Sequence, residues 1–265
     1  MKKRIAELVL LDLLFLLLLI ISGTVAGATR WVLYFLAYIL PIAAGLLLIR
    51  RRGLSAEPPR LAFRTDRAVF SAALFAPTML AVIAISAFTA LVLSFFGKTN
   101  ETDVSGSLVY ELFRHALLPA VLEEILFRYI PIKLLSPHSR RGAVGVSTLL
   151  FALIHLNLFQ IPYALLAGVA LAFLTVASGS ILPGVLLHFL NNAVSVIWMK
   201  FPDTAPYVIF ALLLLLSVPS AIYIIRKRRD YAAEISRAAD GERVGLSLEL
   251  FVMTAICLIM SVLSL

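Results

Sequence analysis

Apolar runs of about twenty residues recur along nearly the whole chain, each close to the length a helix needs to cross the hydrocarbon core of a bilayer. Inside a bilayer every backbone polar group must be satisfied within the protein, and a continuous apolar run does this as a helix. The runs fall at roughly 5–25, 31–49, 69–96, 107–131, 143–159, 161–178, 181–199, 205–225 and 245–265. Connections such as "SGS" at 178–180 and "NLFQIP" at 157–162 are short, which makes neighbouring helices antiparallel. Composition agrees: 62% of residues are hydrophobic and 14% charged, against about half and about a quarter in soluble domains. The expected fold is all-α, a polytopic transmembrane bundle of about eight to nine helices forming one membrane domain over 1–265.

A net charge of +8 raises the question of nucleic acid, and its distribution answers it. With a cytoplasmic N-terminus, 18 of the 23 Lys and Arg residues fall on the inner side, in the 2–4, 50–67, 133–141 and 226–243 segments. Only Arg30, Lys98 and Lys200 fall outside, while Arg114 and Arg128 lie within a span. That is the positive-inside bias of a multi-pass membrane protein, and no nucleic-acid partner is needed to explain it. A cell membrane is therefore the expected location. Lys2–Arg4 ahead of an apolar run, with "AGA" at 26–28, resembles a signal peptide. The run is long for one and carries Glu7 and Asp12, so a retained helix is expected. The single cysteine, Cys257, lies in the last apolar run and excludes an intrachain disulfide.

Against this background "PAVLEEILFRYIP" at 119–131 stands out. An ionised group at a helix centre costs about 2.5–3.5 kcal/mol on insertion scales unless paired or hydrated. Glu124 and Arg128 have i, i+4 spacing with the acid N-terminal, which favours a same-face ion pair. Glu123 points about 100° away around the helix and has no local cation. It needs water or a partner on another helix.

Two histidines offer themselves. His155 lies in "LLFALIHLNLF", four residues after Phe151, and His188 lies in "LPGVLLHFLNNAV", four before Asn192. The second spacing stacks His188 and Asn192 on one helix face. Taken singly, each has an ordinary structural explanation as a hydrogen-bonded packing residue. Together, Glu123, His155, His188 and Asn192 put polar chemistry on three apolar helices, which packing alone explains poorly. Proton or ion translocation is the rival use of such groups. His115, near Glu111 and Arg114, and His138, in "SPHSRR", read as boundary residues, and Ala164, Gly168 and Ala172 form a small-residue ridge suited to close helix packing.

Glu123-Glu124-x-x-x-Arg128, Phe151-x-x-x-His155 and His188-x-x-x-Asn192, in this order on successive spans, resemble the CPBP (Abi) family of intramembrane proteases, which includes the type II CAAX prenyl endopeptidases and bacteriocin-processing or self-immunity proteins. The resemblance covers roughly 105–200 as a catalytic core. It implies an endopeptidase in which Glu123 is the general base, His155 orients the attacking water, His188 and Asn192 stabilise the oxyanion, and Glu124 with Arg128 supports the base. These roles suit peptide hydrolysis, which needs an activated water and a home for the developing negative charge. Glu123, His155 and His188 could instead hold zinc with one open position. Asn192 is a poor zinc ligand and the chain has no HExxH helix, so no cofactor is the first expectation.

The expected substrate is a membrane-associated protein or peptide, cut in CAAX-like or leader-processing fashion, with the lipid bilayer as the other partner. A transporter or immunity-type binding protein is the non-enzymatic alternative. The glutamates fall in the inner half of a span running inward, which favours a cytoplasmic opening.

Overall fold

The computed structural model describes residues 1–54, 65–99, 105–241 and 247–263. Arg60, Arg64 and Arg243, counted above toward charge bias, lie outside the described residues. The described chain contains ten helices and no strand. They are α1 (Lys2–Thr24), α2 (Gly27–Arg51), α3 (Thr65–Ser94), α4 (108–135), α5 (Arg140–Leu153), α6 (Ile161–Ser178), α7 (Leu182–Lys200), α8 (Ala205–Arg226), α9 (Arg228–Ala238) and α10 (Leu248–Leu263). Six are long and apolar enough to cross a membrane: α1, α2, α3 over Ala68–Ser94, α6, α7 and α8. α10 is apolar but shorter, and α9 is a polar helix on the basic side.

Local chemistry explains the boundaries. Ser107 and Ser139 cap α4 and α5 by accepting from the N–H groups of Tyr110 and Gly142. Pro162, Pro183 and Pro206 sit in the first turns of α6, α7 and α8, where a missing N–H costs nothing. α6 ends on Gly179, whose φ of 67° is the left-handed conformation that glycine adopts without strain.

α1 and α2 form an antiparallel hairpin, α3 packs on α6 and α8, and α4 is enclosed by α2, α5 and α7. The core therefore surrounds α4: Phe15 of α1 meets Tyr38 of α2 at 4.9 Å and Phe127 of α4 at 5.7 Å between ring centres. A side chain at Gly45 would lie 2.6 Å from Ile130, so glycine there sets how closely α2 approaches α4. The Ala164–Gly168–Ala172 ridge packs as its sequence implies, buried, with Gly168 facing Thr148 of α5. On the outer surface apolar side chains dominate, as on α8, where Leu215 is 69% exposed. Such a surface is stable in lipid and not in water.

Candidate active site

α4 carries the charged cluster, and two prolines shape it. Pro119 and Pro131 lack an N–H, and their rings crowd the carbonyl four residues back. Ahead of each, the helix widens into a π-turn, over Leu112–Leu117 and Ile125–Tyr129. These are closed by bonds from Leu118 N–H to Phe113 O and from Ile130 N–H to Ile125 O. Glu123 and Glu124 end the α-helical turn between them. Phe127 O, deprived of the amide that residue 131 would supply, accepts instead from the Ser147 hydroxyl of α5 and from Arg128 Nη1 at 3.4 Å.

The two glutamates divide as their spacing implies. Glu124 and Arg128 are wholly enclosed, both 0% exposed, with Glu124 Oε2 3.4 Å from Arg128 Nε. The other oxygen, Oε1, lies 3.0 Å from His188 Nδ1. A Cβ at Gly184 would sit 2.9 Å from Glu124 Oε2. Glycine thus lets the first turn of α7, the positive end of its dipole, reach the buried carboxylate. Phe151 lies among these groups, with the Arg128 guanidinium 4.1 Å from its ring centre and the rings of His155 and His188 edge-on at 5.1 and 5.4 Å. A desolvated cation over an aromatic face gains about 2 kcal/mol.

Glu123 keeps 9% exposure and borders a cavity of about 860 Å³. Its Oε1 accepts from the Tyr38 hydroxyl at 3.0 Å, and its Oε2 lies 3.7 Å from His188 Nε2. Tyr38, reaching in from α2, was not anticipated from sequence. Its signal was the Tyr34/Tyr38 pair in an apolar span, since a buried phenol needs a hydrogen-bond partner.

His155 does not lie on a helix running to 159, as its apolar surroundings implied. α5 stops at Leu153, Leu156 takes a positive φ of 46°, and Asn157 Oδ1 accepts from Phe159 N–H, closing a turn. The His155 ring folds back so that Nδ1 lies 2.9 Å from Phe151 O. A carbonyl cannot donate, so Nδ1 carries the proton and Nε2 of the neutral ring keeps a lone pair. Asn192 lines the cavity beyond His188; its Oδ1 accepts from Asn191 Nδ2 at 3.1 Å, which leaves its own amide hydrogens to other acceptors. Asn191 is a second residue the sequence reading did not single out.

Four residues proposed for chemistry, Glu123, His155, His188 and Asn192, thus line one cavity. His115, read as a boundary residue, lines it too, with Nε2 3.2 Å from Glu111 Oε2. The opposite wall comes from α3, where Met79, Val82, Ile83 and Ala87 alternate with the small polar residues Thr78 and Ser86.

The cavity lies toward the end of the bundle away from the basic segments. The cavity is lined by the later part of α3 out to Thr99, the first part of α4, the first half of α6 and the far part of α7. That end of the bundle is opposite the basic segments at 50–52, 133–141 and 226–237. The glutamates sit near the middle of α4, and the chain between them and the basic face is filled by Phe127, Ile130 and Leu134, all 0% exposed.

Zinc was weighed on Glu123, His155 and His188. Nδ1 of each histidine is engaged, by Phe151 O and Glu124 respectively. Among the described residues no group of three or more His, Cys, Asp or Glu side chains is placed to hold a metal ion. An imidazole held at Nδ1 ligates through Nε2, so zinc on these three side chains stays the alternative to a metal-free site.

Neither a curated protein nor a solved structure matches the chain. Residues 105–194, the segment holding every motif residue of the site, match the sequence model of the family described as type II CAAX prenyl endopeptidase Rce1-like.

Proposed function

We propose that this protein is an intramembrane endopeptidase that cuts membrane-associated polypeptides, with Glu123 as general base. The supporting observation is the Glu123 carboxylate itself: one oxygen is held by Tyr38, and the other turns toward His188 at the wall of a large cavity. A water at that wall gives a proton to Glu123 Oε2 as its oxygen attacks the scissile carbonyl carbon. His155 Nε2 accepts a hydrogen bond from the water's other O–H, which stays on the attacking oxygen, and so aims its lone pair. Charge develops on the carbonyl oxygen, where the Asn192 carboxamide and His188 Nε2 donate. With Nδ1 turned to Glu124, donation from Nε2 as well uses both ring N–H groups of His188. Collapse of the intermediate breaks the C–N bond, and Glu123 returns its proton to the leaving amine. Each positioned donor in such a site contributes on the order of 10²–10³ in rate.

An apolar exterior and a cavity within the bundle suit substrates already held at the bilayer. The test compares peptide termini by mass spectrometry in membranes carrying wild type or Glu123→Ala at matched levels. Termini found only with wild type are expected, and they identify substrate and cut site. Identical profiles under conditions where the protein is required would sink the peptidase reading and turn attention to ion flux across vesicles.

A further inference from the structure

A second cavity, of about 810 Å³, lies at the basic end of the bundle and shares no lining residue with the first. Its walls come from the last turns of α4 and the turn after it, the start of α5, the end of α6 with its connection to α7, and α9. Lys133, Arg140 and Arg237 bring three cations to it, against one carboxylate, Glu234. Glu234 is buried and holds Arg237 Nη1 at 3.0 Å, so the guanidinium is positioned rather than loose. Lys133 Nζ lies 5.8 Å from the ring centre of Tyr129, another wall residue. Ser136, also in the wall, has a hydroxyl enclosed with no hydrogen-bond partner among the described residues.

α9 is fixed in place. The Tyr231 ring stacks on Phe70 of α3 at 3.8 Å and its hydroxyl donates to Phe70 O at 2.8 Å. Burial accordingly pushes the phenol's pKa up. Ser139 pairs with Gly241, and Arg141 N–H donates to Asp240 O, tying the chain beyond α9 to the start of α5. The rest of the lining mixes apolar side chains, Ile132, Val176 and Ile181, with the hydroxyl residues Thr175 and Ser180.

We propose that this cavity binds a phosphate group, and that the phosphate belongs to an anionic lipid of the leaflet on the basic side. The cations and the hydroxyl are phosphate chemistry. The apolar part of the lining and the level of the cavity, where the spans give way to basic segments, favour a headgroup with chains attached over a free ion. The proposal is independent of the peptidase reading.

Native mass spectrometry of the purified full chain tests it with phosphatidylglycerol and phosphatidylcholine as probes. Wild type is expected to retain phosphatidylglycerol in preference. A Lys133→Gln/Arg140→Gln variant, and separately Arg237→Gln, should each bind it more weakly, the double variant by about tenfold or more, from two lost near-surface cations. A control, Lys227→Gln/Arg228→Gln, removes cations outside the cavity and should change binding by about twofold at most, because exposed charges at a distance are screened. Equal retention of the two lipids, or an equal loss in the control, would overturn the proposal. Displacement of the lipid by millimolar inorganic phosphate would assign the cavity to a free anion and overturn the lipid source. Unchanged melting temperatures without lipid separate loss of the site from loss of the fold.

Discussion

Glu123 and Glu124 are neighbours in the chain and have different surroundings, so the same substitution should do different things to each. Glu124 is enclosed with Arg128, His188 and the start of α7. Glu124→Gln leaves the Arg128 guanidinium without its counter-charge in a dry environment, and breaking a buried pair costs about 3–5 kcal/mol. The expected outcome is a large fall in thermal stability in detergent, with activity lost as a consequence. Glu123→Gln keeps the acceptor for Tyr38 and removes the carboxylate proposed above as the proton acceptor. Cleavage should fall by a factor on the order of 10²–10⁴ with the melting temperature unchanged. A Glu123→Gln protein that melts far below wild type would contradict this division. Tyr38→Phe is milder: it removes one hydrogen bond to a charged oxygen, worth about 1.5–3 kcal/mol, and should lower kcat by about tenfold or more while leaving KM nearly unaltered. A pure KM effect would mean that Tyr38 contacts substrate and does not hold the base.

At the scale of elements, the geometry of α4 depends on features that hydrophobic periodicity passes over. The i, i+4 spacing of Glu124 and Arg128 was enough to foresee their pair, and the missing local cation at Glu123 was enough to foresee a partner from elsewhere. The π-turns were not legible in a 3.6-residue pattern, although Pro119 and Pro131 were in view and account for both. Similarly, the FxxxH spacing was read as helix through His155. The contact between the residues is real, but a ring folded back on a helix end makes it. Gly184 shows a further limit, because nothing in "ILPGVLL" says that a carboxylate on another helix lies against that glycine. Gly184→Ala adds a methyl group 2.9 Å from Glu124 Oε2, where both neighbours are held by backbone and ion pairing. Overpacking of this kind costs about 1–3 kcal/mol. It should also push α7 away and lengthen the Glu123–His188 approach, so cleavage is expected to fall more than stability alone explains. Equal activity per folded molecule would show that the site tolerates a displaced α7.

For the whole molecule, the basic charge and the large cavity lie toward opposite ends of the bundle. The basic segments lie at one end and the cavity mouth, near Ser94, Thr99 and Ser195, lies at the other. The helical bundle and the order of its apolar elements were legible because each is an apolar run, six of them long enough to cross a membrane, but which half of each helix is filled is a packing property. Phe127, Ile130, Leu134 and Leu135 close the basic half of α4, whereas small or polar residues of α3 and α7 leave the other half hollow. If the basic end faces the cytoplasm, as the positive-inside bias predicts, substrates reach Glu123 from the opposite side of the membrane or from within its outer leaflet. Cysteine labelling tests this directly, since the only native cysteine, Cys257, is buried. In right-side-out bacterial spheroplasts, a membrane-impermeant maleimide should label Ser195→Cys, at the exposed rim of the cavity, and leave His138→Cys in the exposed basic turn unmodified until the membrane is broken. The reverse pattern would place the mouth on the cytoplasmic side and make cytoplasmic polypeptides the substrates, with the catalytic geometry unchanged.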